Sequence, residues 1–152
     1  MPVKKLKEFL DKNKVKYVSI QHSVGYTAQE IAGLAHIPGR EIAKVVIVKI
    51  DGQCAMAVLP ATERVDLHML KRVTGAQEVA IAHEEEFKDL FPECEVGAMP
   101  PFGNLFGTQV FVDKRLREDE SIAFNAGTHS ELIRMPYQVF EDLVRPAVVQ
   151  IT

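Results

Sequence analysis

The sequence is poor in cysteine, in long apolar runs and in net charge, and each shortage excludes a class of protein. Cys54 and Cys94 are isolated, which excludes a disulfide-rich scaffold; the two could pair, but free thiols of a cytoplasmic protein are the better interpretation. No apolar run approaches the ~20 residues of a membrane-spanning helix, so we expect no membrane partner. The net charge of −3 provides no overall basic field for nucleic acid, so any RNA contact has to be local.

Familiar catalytic and targeting signatures are absent as well. The chain contains no GxSxG, GxxxxGK[ST] or GxGxxG motif. The histidines are scattered, and His83-Glu84 lacks the second histidine of a zinc-protease helix, so we expect no metal and no cofactor. The charged residues 1–14 have no signal-peptide core, which indicates a cytoplasmic location.

The pattern of apolar residues predicts one α+β domain over residues 1–152 with a curved mixed β-sheet. Helices are predicted at 2–14, 27–35, 65–73, 83–91 and 136–144, the last with Pro136 at its first position. Strands are predicted at 15–22, 78–82, 108–112, 121–125 and 131–135, together with a hairpin at 43–60. The acidic run Glu84–Glu86 is expected at a helix N-terminus, where the helix dipole favours negative charge.

The hairpin Ala43–Pro60 contains the first candidate functional residue. Its two apolar strands are joined by Asp51-Gly52, a strong hairpin signal, and Lys44 stands near the start of the first strand. Strand alternation places Lys44 on the same face as Val46 and Val48. The lysine either extends to solvent at the rim of the sheet or directs its charge into a pocket.

Two further candidates lie in irregular segments. The stretch Val96–Gly107 contains three glycines and two prolines, which predicts an apolar loop that either forms a pocket wall or covers a sheet edge. His129 follows Ala126-Gly127-Thr128 in a turn between two strands. A lysine, a loop with backbone donors and a histidine can together stabilise an oxyanion and position water without a protein nucleophile.

These motifs occur in an order that resembles the YbaK/EbsC family, the stand-alone relatives of the editing domain inserted in bacterial prolyl-tRNA synthetases. The resemblance covers nearly the whole chain, and Lys44 falls on the family's signature lysine. The matching segments are His22 with Thr27–Glu30, Ala43–Lys49, Val58–Ala61, Val65–Leu67, Gly97–Pro101 and Phe124–Ile133. The resemblance implies a curved mixed sheet or partial barrel surrounded by helices.

The resemblance also implies an activity and a site. The expected reaction is hydrolysis of the ester of mischarged aminoacyl-tRNA at the acceptor 3′ end, with an aminoacyl-tRNA synthetase as a further partner. One methylene is worth only about 1–3 kcal/mol in a synthetase pocket, so a second, hydrolytic pocket is needed. The implied catalytic residues are Lys44, Gly97 and His129. The implied substrate-binding residues are His22, Met99, Pro101, Phe102, Gly103 and Gly127.

Two alternatives remain open at this point. A binding module of the same fold would hold tRNA or an aminoacyl adenylate without turnover, and a metal hydrolase would require ligand spacings that the sequence does not show. The amino acid removed could be alanine, serine, threonine, cysteine or a non-protein amino acid. The segment GTHSELIRM is closer to members of the family with broad or serine/threonine preference than to the cysteine-removing ones.

Overall fold

Helices are interspersed among the strands in a computed structural model that describes residues 2–22 and 37–152, with side chains described from residue 4. The helices are α1 (Pro2–Lys12), α2 (Leu67–Thr74), α3 (Glu84–Phe87), α4 (Lys114–Arg117) and α5 (Tyr137–Val144). The strands are β1 (Val18–Gln21), β2 (Ala43–Ile50), β3 (Gln53–Pro60), β4 (Val79–Ile81), β5 (Val110–Asp113), β6 (Ser121–Asn125), β7 (Glu131–Pro136) and β8 (Ala147–Val149). Short 3-10 turns occupy Gly39–Glu41 and Gly103–Leu105. The helix predicted at 27–35 lies outside the described residues.

The strands form two sheets that meet at one point. The larger sheet has the order β4-β2-β3-β5-β8 and is mixed, since β5 runs parallel to both β3 and β8. The smaller sheet, β1-β7-β6, is antiparallel. A parallel bridge between Ile42 and Ala123 connects the two. The predicted α+β class with a mixed sheet is therefore confirmed, and the strands are divided between two sheets joined by a bridge.

The β2–β3 hairpin forms where the sequence predicts it. Asp51 and Gly52 have φ angles of 49° and 86°, the pair of positive values that a tight two-residue turn requires. Ile47 faces the main core, whereas Val48 packs on the opposite side with Leu70 of α2. Both faces of β2 are thus covered, which explains its nearly continuous apolar sequence.

Phe102 lies at the centre of the main core. Its ring contacts Phe9 of α1 with centroids 6.1 Å apart, and Phe124 of β6 and Phe140 of α5 with centroids 5.5 Å apart. Burial of an aromatic side chain of this size stabilises a fold by about 1.5–3 kcal/mol. The loop that contains Phe102 is therefore attached to α1, β6 and α5 at once.

Several predicted boundaries are wrong for local reasons. Pro136 is the residue before α5, not its first position, because pairing with Ser121 keeps it extended at the end of β7 (ψ 133°). The helix predicted at 83–91 ends at Phe87, where the chain turns and buries both Phe87 and Phe91. The strand predicted at 15–22 begins only at Val18. Residues 15–17 connect α1 to β1, and Val15 N–H is still bonded to Leu10 O of the helix at 3.0 Å.

The predicted ends of α2 and the free cysteine thiols are confirmed. Asp66 accepts a hydrogen bond from Met69 N–H at 3.0 Å and begins α2, and Gly75 ends it with φ 69°. Both cysteines are free thiols, and burial raises the pKa of Cys94 to about 11. Within the described ranges, every helix is too short or too polar to cross a lipid bilayer.

Candidate functional site

The loop that begins at Gly97 and the turn between β6 and β7 are joined by hydrogen bonds. Glu95 N–H donates to Gly127 O at 2.9 Å, and Gly127 N–H donates to Ala98 O at 2.8 Å. We call residues 95–98 together with residues 127–129 the loop–turn junction. A Cβ atom added to Gly97 would lie 3.4 Å from His129 Cε1. Gly97 and His129, two of the predicted catalytic residues, are therefore neighbours in the structure.

The junction fixes both the backbone and the ring of His129. Its backbone N–H donates to Glu95 Oε1 at 3.1 Å, and its Nε2 lies 2.7 Å from Val96 O. A carbonyl oxygen only accepts, so Nε2 has to carry the proton in this contact. In the neutral ring, Nδ1 then keeps a lone pair, and His129 can accept a proton from water or from a hydroxyl group.

The loop from Gly97 to Pro101 has two backbone N–H groups available. Pro100 and Pro101 have no N–H, and Ala98 N–H donates to Glu95 O at 3.0 Å. For Gly97 and Met99, the described part of the chain contains no acceptor. Gly97 has φ 84°, a left-handed conformation in which side chains are disfavoured. Two donors in one short loop can stabilise a developing oxyanion.

His22 lies beside the same turn. It follows β1, and its backbone N–H donates to Ser130 O at 2.9 Å, one residue after His129. The antiparallel pairing of β1 with β7, in which Gln21 lies opposite Glu131, produces this contact. The predicted substrate-binding histidine is therefore next to the loop–turn junction.

Lys44 follows the bridge that joins the two sheets, and its charged neighbours are Arg64 and Glu63. Ile42 and Ala123 pair in parallel, so Lys44 and Asn125 each lie two residues beyond the bridge in the same direction. Asn125 is the last residue of β6 and precedes the turn that contains His129. Burial lowers the pKa of Lys44, Arg64 lowers it further, and Glu63 partly offsets both effects. A half-buried lysine with a depressed pKa is typical of functional sites.

The remaining predicted residues lie mainly behind the loop. Met99 and Phe102 are 4% and 0% exposed and belong to the main core, and Pro101 is also buried. A Cβ atom on Gly103 would lie 2.4 Å from Thr108 O, so packing alone requires a glycine there. Gly127 has φ 95° and is buried in the turn. Glu95 is not among the predicted residues, because an exposed glutamate two residues before a glycine gives no signal of a tertiary contact.

Clefts lined by described residues also occur away from this region. One of about 550 Å³ contains the ion pairs Arg115–Glu63 and Arg40–Asp119, with N–O distances of 3.0 and 3.7 Å. Its cations are largely balanced by carboxylates, so it has no strong preference for an anion. Within residues 2–22 and 37–152, no three His, Cys, Asp or Glu side chains come together as metal ligands would.

Comparison with known proteins relates the chain to one family and one fold. The profile of the aminoacyl-tRNA editing domain matches residues 22–143. Proline–tRNA ligases of Bacillus mycoides (strain KBAB4) and Bacillus cereus (strain AH187) are each 27% identical to the chain over 85 residues. These matches cover 56% of this chain and only 15% of each ligase.

Two solved structures share the fold. A candidate trans-editing enzyme for prolyl-tRNA synthetase superposes with a TM-score of 0.85 at 20% identity, over 99% of this chain and 96% of its own. A hypothetical protein superposes with a TM-score of 0.86, also at 20% identity, over 97% and 99% of the two chains. Identity at this level shows the fold alone.

Proposed function

The chain belongs to the aminoacyl-tRNA editing domain family, and on that basis we propose that it is a hydrolase that cleaves the ester between a wrong amino acid and the 3′ end of its tRNA. The observation that carries the proposal is the loop–turn junction together with the adjoining Met99, where Gly97 and Met99 supply two backbone donors beside His129, whose ring orientation is fixed. The reaction needs little more, because aminoacyl esters are already reactive.

The proposed chemistry assigns a separate role to each group. The N–H groups of Gly97 and Met99 stabilise the negative charge that develops on the ester carbonyl oxygen when water attacks the carbonyl carbon. His129 Nδ1 accepts a hydrogen bond from the attacking water or from the 2′-hydroxyl of the terminal ribose. The bond to the 3′-oxygen breaks, that oxygen takes up a proton, and free amino acid and uncharged tRNA are released. One oxyanion donor is worth about 2.7–4 kcal/mol.

Lys44 and His22 are proposed to hold the substrate. The charge of Lys44 attracts a phosphate of the terminal nucleotides or the polarised ester. His22, beside the turn, contacts the acceptor end. Met99, Pro101, Phe102, Gly103 and Gly127 shape the aminoacyl pocket, the buried ones among them by supporting the loop from the core side.

The partners proposed are mischarged aminoacyl-tRNA and, through it, an aminoacyl-tRNA synthetase. The matched relatives are proline–tRNA ligases, although the similarity is confined to a small part of those enzymes. The tRNA for proline is therefore the first substrate to test. Translational quality control of this kind places the protein in the cytoplasm.

A deacylation panel tests the proposal. The protein is incubated with tRNAs for proline and other amino acids, each mischarged with alanine, serine, threonine or cysteine, and release of free amino acid is followed over time. We expect catalytic release from at least one mischarged tRNA and none from correctly charged prolyl-tRNA. Formation of a stable complex without release would instead show a binding module, and no binding at all would overturn both.

A further inference from the structure

The loop–turn junction depends on one side chain that none of the sequence motifs contains. Glu95 makes three hydrogen bonds with residues of the junction: its N–H donates to Gly127 O, its backbone oxygen accepts from Ala98 N–H, and its Oε1 accepts from His129 N–H at 3.1 Å. Of these, only the last involves the side chain. Residue 95 therefore connects the loop that supplies the donors with the turn that supplies the histidine.

The carboxylate accepts from the backbone N–H of His129, so it holds the residue in the position from which its ring reaches Val96 O. Glu95 is exposed at the surface, whereas its backbone bonds to Gly127 and Ala98 do not require any particular side chain. Among residues 2–22 and 37–152, loss of the carboxylate would leave the ring bond to Val96 O as the remaining hydrogen bond of His129. Val96 is 41% exposed, so that bond lies near solvent.

We propose that Glu95 is a positioning residue for the editing reaction, and that its carboxylate fixes His129 with the Nε2 proton on Val96 O and Nδ1 free to act. The inference rests on the proposed function for its kinetic consequence, but the orientation of His129 can be measured without turnover. An acceptor at residue 95 is what the geometry requires, and a negative charge is not. Glutamine therefore replaces glutamate, whereas alanine does not.

Three variants test the proposal. Glu95→Ala removes the acceptor, Glu95→Gln keeps an amide oxygen at the same reach, and Glu85→Ala is the control because Glu85 is an exposed glutamate of α3 outside the junction. We expect Glu95→Ala to lower kcat about tenfold with KM changed less than twofold, because one hydrogen bond that positions the histidine is lost. Glu95→Gln and Glu85→Ala should keep kcat within about twofold of the parent.

A spectroscopic measurement separates this inference from the proposed activity. Nitrogen-15 NMR of the His129 ring reports which nitrogen is protonated, and amide exchange reports the protection of its backbone N–H. In Glu95→Ala we expect faster amide exchange at residue 129 and a mixture of ring tautomers, with Tm unchanged, and in Glu95→Gln we expect the parent spectrum. These results would hold even if the parent protein released no amino acid.

Three outcomes would overturn the proposal. Equal loss of kcat in Glu95→Gln and Glu95→Ala would show that charge, and not an acceptor, is required. An unchanged His129 spectrum in Glu95→Ala would show that the carboxylate does not orient the ring. A fall in Tm with unaltered kcat in Glu95→Ala would show a purely structural role.

Discussion

Lys44 carries a positive charge in a place that disfavours it. It is half-buried, its pKa is lowered by burial and by Arg64, and within the described ranges it forms no ion pair. A charge that its surroundings oppose does not favour folding, which makes Lys44 a candidate for a functional role. Two predictions follow from this position, one for activity and one for stability.

The first prediction is that Lys44→Ala abolishes most of the deacylation while the protein remains folded. Loss of a charge that contacts the transition state costs about 2–4 kcal/mol, or up to a thousandfold in kcat/KM. Lys49→Ala is the control, since Lys49 lies on the same strand, faces the other side and pairs with Glu86. Equal losses in the two variants, or collapse of the far-ultraviolet circular dichroism in Lys44→Ala, would make Lys44 a structural residue.

The second prediction is that Lys44→Met is at least as stable as the parent at neutral pH. The folded-state pKa of Lys44 lies below its ordinary value of 10.5, so the cost of burying the charged amine is fully present below the folded pKa. That cost disappears as the pH rises from the folded pKa toward the unfolded one. In thermal melts from pH 7 to 10, the Tm of the parent should therefore rise relative to the Tm of Lys44→Met. A variant that melts well below the parent at pH 7 would contradict this.

At the scale of elements, the loop from Gly97 to Pro101 begins with a left-handed residue, a conformation that glycine adopts without strain. We predict that Gly97→Ala lowers kcat about tenfold, because its methyl group would contact His129 and relief of the left-handed strain, about 1–2 kcal/mol for alanine, would shift the donor loop. Steady-state kinetics and a thermal melt check this.

Gly52→Ala is the matched control. Gly52 has nearly the same φ, 86° against 84°, but lies in the β2–β3 turn with nothing within 4 Å of an added Cβ. It should lose stability to a similar extent and keep its kcat. Normal kinetics in Gly97→Ala would remove this loop from the mechanism.

The elements that the sequence predicts well are those with a local cause. The β2–β3 hairpin has Asp51-Gly52 at its turn, and α2 has Asp66 and Gly75 at its ends. The helix α4 and the strand β8 are missing from the prediction, because one helical turn and three residues are too short to show a period. Strand β8 forms only because β5 offers it a parallel partner, which no local pattern can reveal.

The candidate site likewise has a part that local sequence predicts and a part that depends on tertiary contacts. The sequence supplies Lys44, Gly97 and His129 as candidates, whereas their arrangement depends on pairing between distant segments. Gly97 meets His129 through backbone bonds between residues 95–98 and Gly127, and the sequence shows the glycine but not the segment with which it pairs. Glu95 could be found only after the turn and the loop had been placed together.

At the scale of the whole molecule, the property to measure is how the protein binds tRNA. With a net charge of −3 and dispersed basic residues, we predict weak binding limited to the acceptor end. The log–log slope of deacylation rate against salt should be shallow, about −0.7 for each contact to a single-stranded phosphate. A short acceptor-stem mimic with the same amino acid should be hydrolysed at a rate close to that of full tRNA.

Both full tRNA and the acceptor-stem mimic are needed, because the difference between them reports contacts to the tRNA body. A steep slope for full tRNA and a shallow one for the mimic would show that the tRNA body is bound extensively. A mimic hydrolysed orders of magnitude more slowly would lead to the same conclusion and contradict the prediction.

The loop–turn junction also has a consequence for the order of folding. The β2–β3 hairpin closes over a two-residue turn and can form within microseconds, whereas the bond from His129 to Glu95 closes a loop of 34 residues. Glu95, Val96 and Gly97 are exposed, so we expect this side of the junction to open more readily than the buried strands. During refolding, we expect the chain to recover its sheets before it completes the junction, and on warming to lose them in the reverse order.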